Sequence, residues 1–452
     1  MRLHLIAIGG SAMHNMAIAL SQQGHVVTGS DDAIYEPSRS RLAKHNILPA
    51  EMGWFPERIT EDIKAVVLGM HARADNPELL KAKELGLKIY SYPEYIYEQS
   101  KDKIRVVIGG SHGKTTITSM VLHVLKACNK KFDYLVGAQL EGFETMVQIT
   151  DAPVIIIEGD EYLSSPIDRR PKFHLYHANI GVISGIAWDH INVFPTFDNY
   201  VDQFKIFLQT ITPGGTIIYN MQDDVVKDVV ETSAEQLRKV PYQTGLSVTV
   251  NGVTSLLIND KNVPLQVFGE HNLQNLQAAL NVCRELGIND TDFYNAISSF
   301  KGAAKRLELL GKNETTAVYK DFAHSPSKLK ATLNAVKAQY PDRKLVAVME
   351  LHTFSSLNKE FLEEYKGCMD NADTAIVFIN RRTFEQKNME PYSENEVKKA
   401  FDNDKLNFFN NSEILVEFLS YINYKGKNLL LMSSGDFGGI DLNVLANKAL
   451  TM

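Results

Sequence analysis

Short apolar runs followed by stretches of helical spacing recur along the chain, and that alternation predicts its architecture. Leu3 to Ile8 is apolar, Gly9-Gly10 reads as a turn, and Ala12 to Gln22 carries apolar residues at helical spacing up to Gly24. "HVVTGSD" supplies a second strand ending at Asp31, "AVVLGM" a third from Ala65, and "LKIYSYPEYI" a fourth from Leu87. This order predicts an open α/β domain over residues 1–102. A second set starts at Ile104, with strands at Pro153–Ile157, Ile180–Ile186 and Thr216–Tyr219, and it closes on the Leu- and Ala-rich helix in "FGEHNLQNLQAALNVCRELGI". That set predicts a central domain over 103–302. After "GAAKRLELLG", strands at Thr316–Lys320, Lys344–Glu350, Thr374–Ile379 and Asn428–Ser433 predict a third α/β domain over 303–452. No solenoid period or low-complexity tract interrupts the pattern.

Composition narrows the class of partner. The chain has 452 residues, enough for roughly three domains of about 150. Hydrophobic residues make up 44% and charged residues 22%, and no apolar run approaches the roughly 18 residues of a membrane span. No membrane crossing is expected. A formal net charge of −7 argues against nucleic acid, whose phosphates call for a basic face, and favours a small-molecule partner. Cys128, Cys283 and Cys368 are odd in number and far apart, and the N-terminus runs into a strand without a signal-peptide pattern. A cytoplasmic protein, monomeric or weakly dimeric, is expected.

The chemistry begins at "VVIGGSHGKTTITSM", where a strand, a glycine turn and Lys-Thr-Thr at a helix start follow one another. Such a turn cradles phosphate, because its backbone N–H groups and the helix dipole both face the anion. Gly110, Ser111, His112, Gly113, Lys114, Thr115 and Thr116 are therefore expected to bind ATP, with Lys114 at the terminal phosphates and Thr115 at Mg²⁺. The strict pattern would place a glycine at Ile108, so the loop is a shortened one. "VIIIEGDEY" brings Glu158, Asp160 and Glu161 to the end of an apolar strand, where ligands of open α/β folds bind, and one of them is expected to hold Mg²⁺. "GIAWDHINVF" repeats the logic with Asp189 and His190. In the first domain, the turn after Leu3–Ile8 lacks the G-x-G-x-x-G spacing of a dinucleotide site, which weakens NAD binding.

"GGSHGKTT", "EGDEY", "DHINVF", "GEHNLQN", "AAKRLE" and "DFAHSP", in that order over nearly the whole chain, resemble the Mur ligase family of cytoplasmic peptidoglycan enzymes. The resemblance implies three domains: an N-terminal Rossmann-like one, a central P-loop ATPase-type one and a C-terminal Rossmann-like one. It implies an ADP-forming amide ligase in which the carboxylate of UDP-N-acetylmuramate attacks ATP to give an acyl phosphate, which an amine then displaces. Within the family, "EGDEY", "DRRPKF", "DHINVF", "DFAHSP" and "MSSGDFGGI" are most similar to members whose acceptor is the tripeptide L-alanyl-γ-D-glutamyl-meso-diaminopimelate. Members that take L-alanine are the near relatives. Carried over by motif, Thr115 and Glu158 hold one Mg²⁺, and His190 helps hold a second. His271, Asn272 and Asn275 contact adenine, while Arg306 and Asp321 reach phosphate and ribose. ATP would then lie between domains, with His324 close to the nucleotide and the amine. Gly9, Gly10, Ser11 and Asp31 would meet the UDP moiety, joined by His71 and Arg73 from a second loop. Several members carry a carbamylated lysine fifteen residues beyond the Asp-His histidine, and Lys205 stands fifteen beyond His190. A lysine on "NYVDQFKIFLQ" is equally placed to face solvent.

The chain departs from the family pattern at four places. Gly159 replaces an alanine and Ser325 a second histidine. Leu351-His352-Thr353 stands where relatives carry an arginine after the strand, and Asp436 stands where the tripeptide members have a glycine. The last two departures put the acceptor pocket in question. Two other classes fit part of the pattern. A P-loop ATPase or kinase acting on another small molecule explains "GKTT" but not "AAKRLE" and "DFAHSP". A nucleotide-sugar binding protein with a decayed site would lack Lys114, Glu158 and His190, all of which are present.

Overall fold

The computed structural model describes residues 1–451 other than 71, 141, 251, 260, 304, 305 and 388. The chain folds as two compact units, one formed by 1–186, 197–243 and 278–293, the other by 187–196, 244–277 and 294–452. Both are α/β, with mainly parallel sheets. No helix among the described residues is long and apolar enough to cross a membrane.

The first unit holds two sheets. Four parallel strands run in the order Val26–Ser30, Arg2–Ile6, Ile63–Leu68, Ile89–Ser91. Apart from Arg2, His4 and Lys64 the central pair is apolar and buried, as expected of strands covered on both faces. The second sheet has seven strands. Ile104–Gly109 lies at its middle, between Val154–Glu158 and Ile180–Ile183, and only the edge strand Val147–Gln148 is antiparallel. Val106, Val107 and Ile108 have no exposure, so the turn that follows them is held on a rigid strand.

Two of the expected strands end three or more residues early. "LKIYSYPEYI" forms a strand only over Ile89–Ser91, and a helix runs over Tyr92–Ser100. Ser91 caps that helix by accepting from the Glu94 N–H, Glu94 returns a bond to the Ser91 N–H, and Pro93 sits in the first turn. The strand expected to reach Ile186 ends at Ile183; the Ser184 N–H makes the last bond to the Gly109 carbonyl, and its hydroxyl turns to the His112 carbonyl of the glycine turn.

The second unit is built on a six-stranded sheet ordered Glu308–Lys312, Ala317–Asp321, Lys427–Met432, Lys344–Glu350, Thr374–Phe378, Asn407–Phe409, parallel except for the first pair. Leu345, Ala347 and Met349 pack into one core with Leu333 and Val336 of the helix Pro326–Gln339. Val346 and Val348 pack into another with Leu415 and Leu445 on the opposite face. The period of two along one strand thus serves both faces. An antiparallel meander over Ser247–Val250, Val253–Ile258 and Lys261–Pro264 was not legible as strands. It is pinned through Gln339, which donates to the Gly252 carbonyl and accepts from Thr254.

Candidate active site

The phosphate-loop motif forms a tight turn between Ile104–Gly109 and the helix Lys114–Ala127. Gly110 and Gly113 adopt φ of 133° and 81°. At Gly110 a Cβ would lie 2.2 Å from the Ser184 hydroxyl, so a glycine is required there on both counts. The Ser111 N–H donates to the Gly185 carbonyl at 2.9 Å, and a Cβ on Gly185 would collide with the His112 ring. Ser184 and Gly185 therefore shape the loop from the next strand. "ISGI" carries only the weak signal of two small residues after an apolar run.

Lys114 folds back over this turn. Its ammonium donates to the Gly110 carbonyl and to Glu161, both at 2.6 Å. Burial works against its charge, but the carboxylates of Glu161 and Asp160 outweigh it and hold Lys114 above the ordinary lysine value. The three acids of "EGDEY" take separate partners. Glu158 accepts from the Thr115 hydroxyl at 2.7 Å and the Gly137 N–H at 2.8 Å, Asp160 pairs with Lys172 at 2.6 Å, and Glu161 takes Lys114 and the Tyr200 hydroxyl. Thr115 and Glu158 are hard oxygen donors in contact, a set that suits Mg²⁺ completed by water and phosphate oxygens. Among the described residues no three His, Cys, Asp or Glu side chains gather as a cage for a metal.

A cavity of about 890 Å³ opens beside the first glycine turn, lined by Gly9, Gly10, Ser11, Asp31, Arg41 and Met146 among others. Asp31 accepts the Gly9 N–H at 2.7 Å, and burial pushes its carboxyl up to about 6 against that bond, with Asp32 adding to the rise. Behind the turn, His14 is 2% exposed and lies 3.0 Å from the Gly10 carbonyl, 3.0 Å from the Ser38 hydroxyl and 3.0 Å from Asn15. Asn15 in turn accepts the Met146 N–H at 2.9 Å. Arg73 is exposed. His71 lies outside the described residues.

The other predicted residues, Lys205 apart, belong to the second unit. His190 sits at φ 55° and donates its N–H to its neighbour Asp189. Asp189 faces Lys328 at 3.2 Å and His324 at 3.7 Å. Burial opposes its ionisation, yet Lys328 and His324 hold it well below the usual carboxylate range. His324 bonds the Phe322 carbonyl through Nδ1 at 2.9 Å, which leaves Nε2 to face Asp189 and Lys328. Burial, then the Lys328 charge, lower its pKa. Asp321 accepts the N–H groups of Leu307 at 2.6 Å and Ala323 at 2.7 Å, which fixes its carboxylate at the strand end. The Arg306 guanidinium lies 4.6 Å from the Phe322 ring centroid. Asn272 and Asn275 are buried on the helix Glu270–Glu285, and burial lowers the pKa of His271 beside them.

With both sets of residues located, the comparisons with known proteins decide the family. Three family models match in series: the Mur ligase family catalytic domain over residues 2–103, the Mur ligase middle domain over 108–283, and the Mur ligase glutamate ligase domain over 305–435. The UDP-N-acetylmuramate–L-alanine ligase of Caldicellulosiruptor bescii is 32% identical over 82% of each chain. The chain belongs to the Mur ligase family. A second relative, the UDP-N-acetylmuramate–L-alanyl-γ-D-glutamyl-meso-2,6-diaminoheptandioate ligase of Escherichia coli, is 27% identical over 99% of each chain. The solved UDP-N-acetylmuramate–alanine ligase of Thermotoga maritima shares the fold, with a TM-score of 0.69 at 20% identity over 100% of this chain and 98% of that one. Mur ligases are ATP-dependent ligases of peptidoglycan synthesis, and this chain is one of them.

Within this Mur ligase, Lys205 lies on the helix Phe197–Thr210, has a side chain 43% exposed, and pairs with Asp202 at 2.8 Å. That is the solvent-facing arrangement of a helix lysine, and among the described residues it has no hydrogen bond or ion pair to Lys114 or Glu158. Glu161, as the partner of Lys114, and Lys328, as the partner of Asp189, were not singled out from sequence for those pairings. For Glu161 the signal was present as a third acid after the strand. For Lys328 it was one lysine four residues after His324.

Proposed function

We propose that this enzyme joins UDP-N-acetylmuramate to L-alanyl-γ-D-glutamyl-meso-diaminopimelate, with boundaries near 1–102, 103–302 and 303–452 dividing sugar binding, ATP binding and acceptor binding. The observation that carries the ligase chemistry is the Lys114–Thr115 turn facing Glu158 and Glu161. The sugar's carboxylate oxygen attacks the γ-phosphorus of ATP, ADP leaves, and the peptide amine then attacks the acyl carbon and expels phosphate. Phosphoryl transfer needs positioning and charge neutralisation more than covalent help. Lys114 neutralises the phosphates. Thr115 and Glu158 hold Mg²⁺, and His190 holds a second ion; bound there, the metal would offset charge on the phosphoryl oxygens. His271, Asn272 and Asn275 take adenine, Arg306 and Asp321 take phosphate and ribose, and His324 orients the amine. Gly9, Gly10, Ser11, Asp31, His71 and Arg73 take the UDP moiety.

The tripeptide is favoured by the end-to-end match to the E. coli relative. L-Alanine as acceptor is the second reading, favoured by the higher identity to the C. bescii relative. The test is phosphate release from ATP and UDP-N-acetylmuramate with tripeptide, with L-alanine and with no amine, with products identified by mass. Turnover with tripeptide is expected. Turnover with L-alanine alone would establish the second reading, and release without any amine would make the protein an ATPase or kinase.

A further inference from the structure

The acceptor side of the second unit holds cations that its own carboxylates do not neutralise. The strands Lys427–Met432, Lys344–Glu350 and Thr374–Phe378 are neighbours in the sheet, and the loops at their carboxyl ends meet. A Cβ on Gly435 would lie 2.6 Å from the His352 ring, and one on Gly438 would lie 2.6 Å from the Asn380 amide. Lys387 reaches the same place, donating to the His352 carbonyl at 2.6 Å, with its ammonium 4.4 Å from the Phe354 ring centroid. Among the described residues its partners are a carbonyl and a ring, not an acid. Burial lowers its pKa, as it does for a half-buried ammonium without a counter-ion.

Two exposed arginines lie at the other end of the same helix. Arg381 and Arg382 open the helix Arg381–Lys387, whose first turn contains no acid. A helix dipole disfavours positive charge there, so local stability does not account for them. Among the described residues none of Arg381, Arg382 and Lys387 has an ion-pair partner.

The nearby acids are disposed differently. Glu350 is 1% exposed and is taken up by the Ser433 hydroxyl and the Phe437 N–H. Asp436 is exposed at the rim, bonded to the Gly438 N–H of its own turn. In the same turn the Ser434 hydroxyl is buried without a hydrogen-bond partner, as expected where a ligand or water completes it.

We propose that Lys387, Arg381 and Arg382 read carboxylates at the far end of the acceptor, and that Asp436 reads an ammonium on the same residue. The basin thus takes a diamino-dicarboxylic terminus in preference to a single amino acid. This rests on the peptide-ligase reading above and assigns the chain's own residues to it. It gives the chain a cationic reader in place of the arginine that relatives carry after the strand ending at Glu350.

The test compares the meso-diaminopimelate tripeptide with the L-lysine tripeptide, which keeps the amine and lacks the distal carboxylate. Wild-type enzyme should prefer the diaminopimelate peptide by about tenfold or more in kcat/KM, through KM. Lys387→Met, and separately Arg381→Gln with Arg382→Gln, should reduce that preference to less than about twofold while KM for ATP holds. Asp436→Asn should raise KM for both peptides. The paired arginine variant guards against a folding defect at Lys387, because both arginines are exposed. Retained preference in both the lysine and the arginine variants would overturn the inference and leave the peptide-ligase reading standing. Wild-type enzyme inert with both peptides but active with L-alanine would overturn the reading itself.

Discussion

The phosphate turn of the first unit and the strand-end basin of the second lie at equivalent places on their sheets, yet they treat charge in opposite ways. At the turn each functional group has a protein partner: Lys114 is bonded to Glu161, and Thr115 to Glu158. In the basin Lys387 leans on a carbonyl and a ring, and among the described residues two arginines have no ion-pair partner. A site that brings both signs together from neighbouring strand ends neutralises itself, so a phosphate must exchange with a carboxylate already in place. A site that encodes mainly cations waits for its ligand to bring the charge.

The largest expected effect strikes the first side of this contrast. Lys114→Ala should lower kcat by about a thousandfold, because the developing phosphoryl charge loses its main cation, while UDP-N-acetylmuramate binding measured by calorimetry stays largely intact. Equal loss of both would show that the turn serves the sugar nucleotide instead. Next, Lys328→Met should lower stability by about 2 kcal/mol in urea unfolding, since Asp189 is 6% exposed and would lose its nearest cation. An unchanged midpoint would mean that Asp189 finds another partner.

Asp31 sharpens the comparison from the sugar side, being a carboxylate pushed up to about 6 by burial, bonded to the neutral N–H groups of Gly9 and Ala33 and beside a second acid. The folded state holds its proton more tightly than the unfolded state, whose value is near 3.8. Its contribution is therefore fully present below that value and is lost as pH rises through about 6. Asp31→Asn should flatten stability between these limits by about 1 kcal/mol. A pH profile identical to wild type would refute this. The smallest effect belongs to Lys205, whose ammonium is held protonated by Asp202, which disfavours carbamylation. Lys205→Arg should change kcat less than about twofold, and intact mass in bicarbonate should show no added carbamate. An adduct, or a loss of a hundredfold, would restore the lysine to the catalytic set.

Much of the scaffold was legible because its strands are continuous apolar runs buried on both faces, and the phosphate turn because only glycine tolerates its backbone. The Glu94 capping box outcompeted a β-rich run in a way that periodicity does not weigh. The exposed meander over 247–264 lacked a signal because few of its side chains are buried. Partners were harder to read than positions. Glu158 and Glu161 are three residues apart, and nothing in their spacing says that one meets Thr115 and the other Lys114. Asp189 and Lys328 are separated by 139 residues, so their pairing exists only in the folded unit.

Oxygen transfer tests the central claim most directly. UDP-N-acetylmuramate labelled with ¹⁸O in its carboxylate is turned over with ATP and tripeptide, and the released phosphate is analysed by mass. Acyl-phosphate chemistry predicts one ¹⁸O in each phosphate, because the attacking carboxylate oxygen departs with phosphorus when the amine displaces it. Unlabelled phosphate would mean that water or another group attacks ATP, and would contradict the ligase assignment.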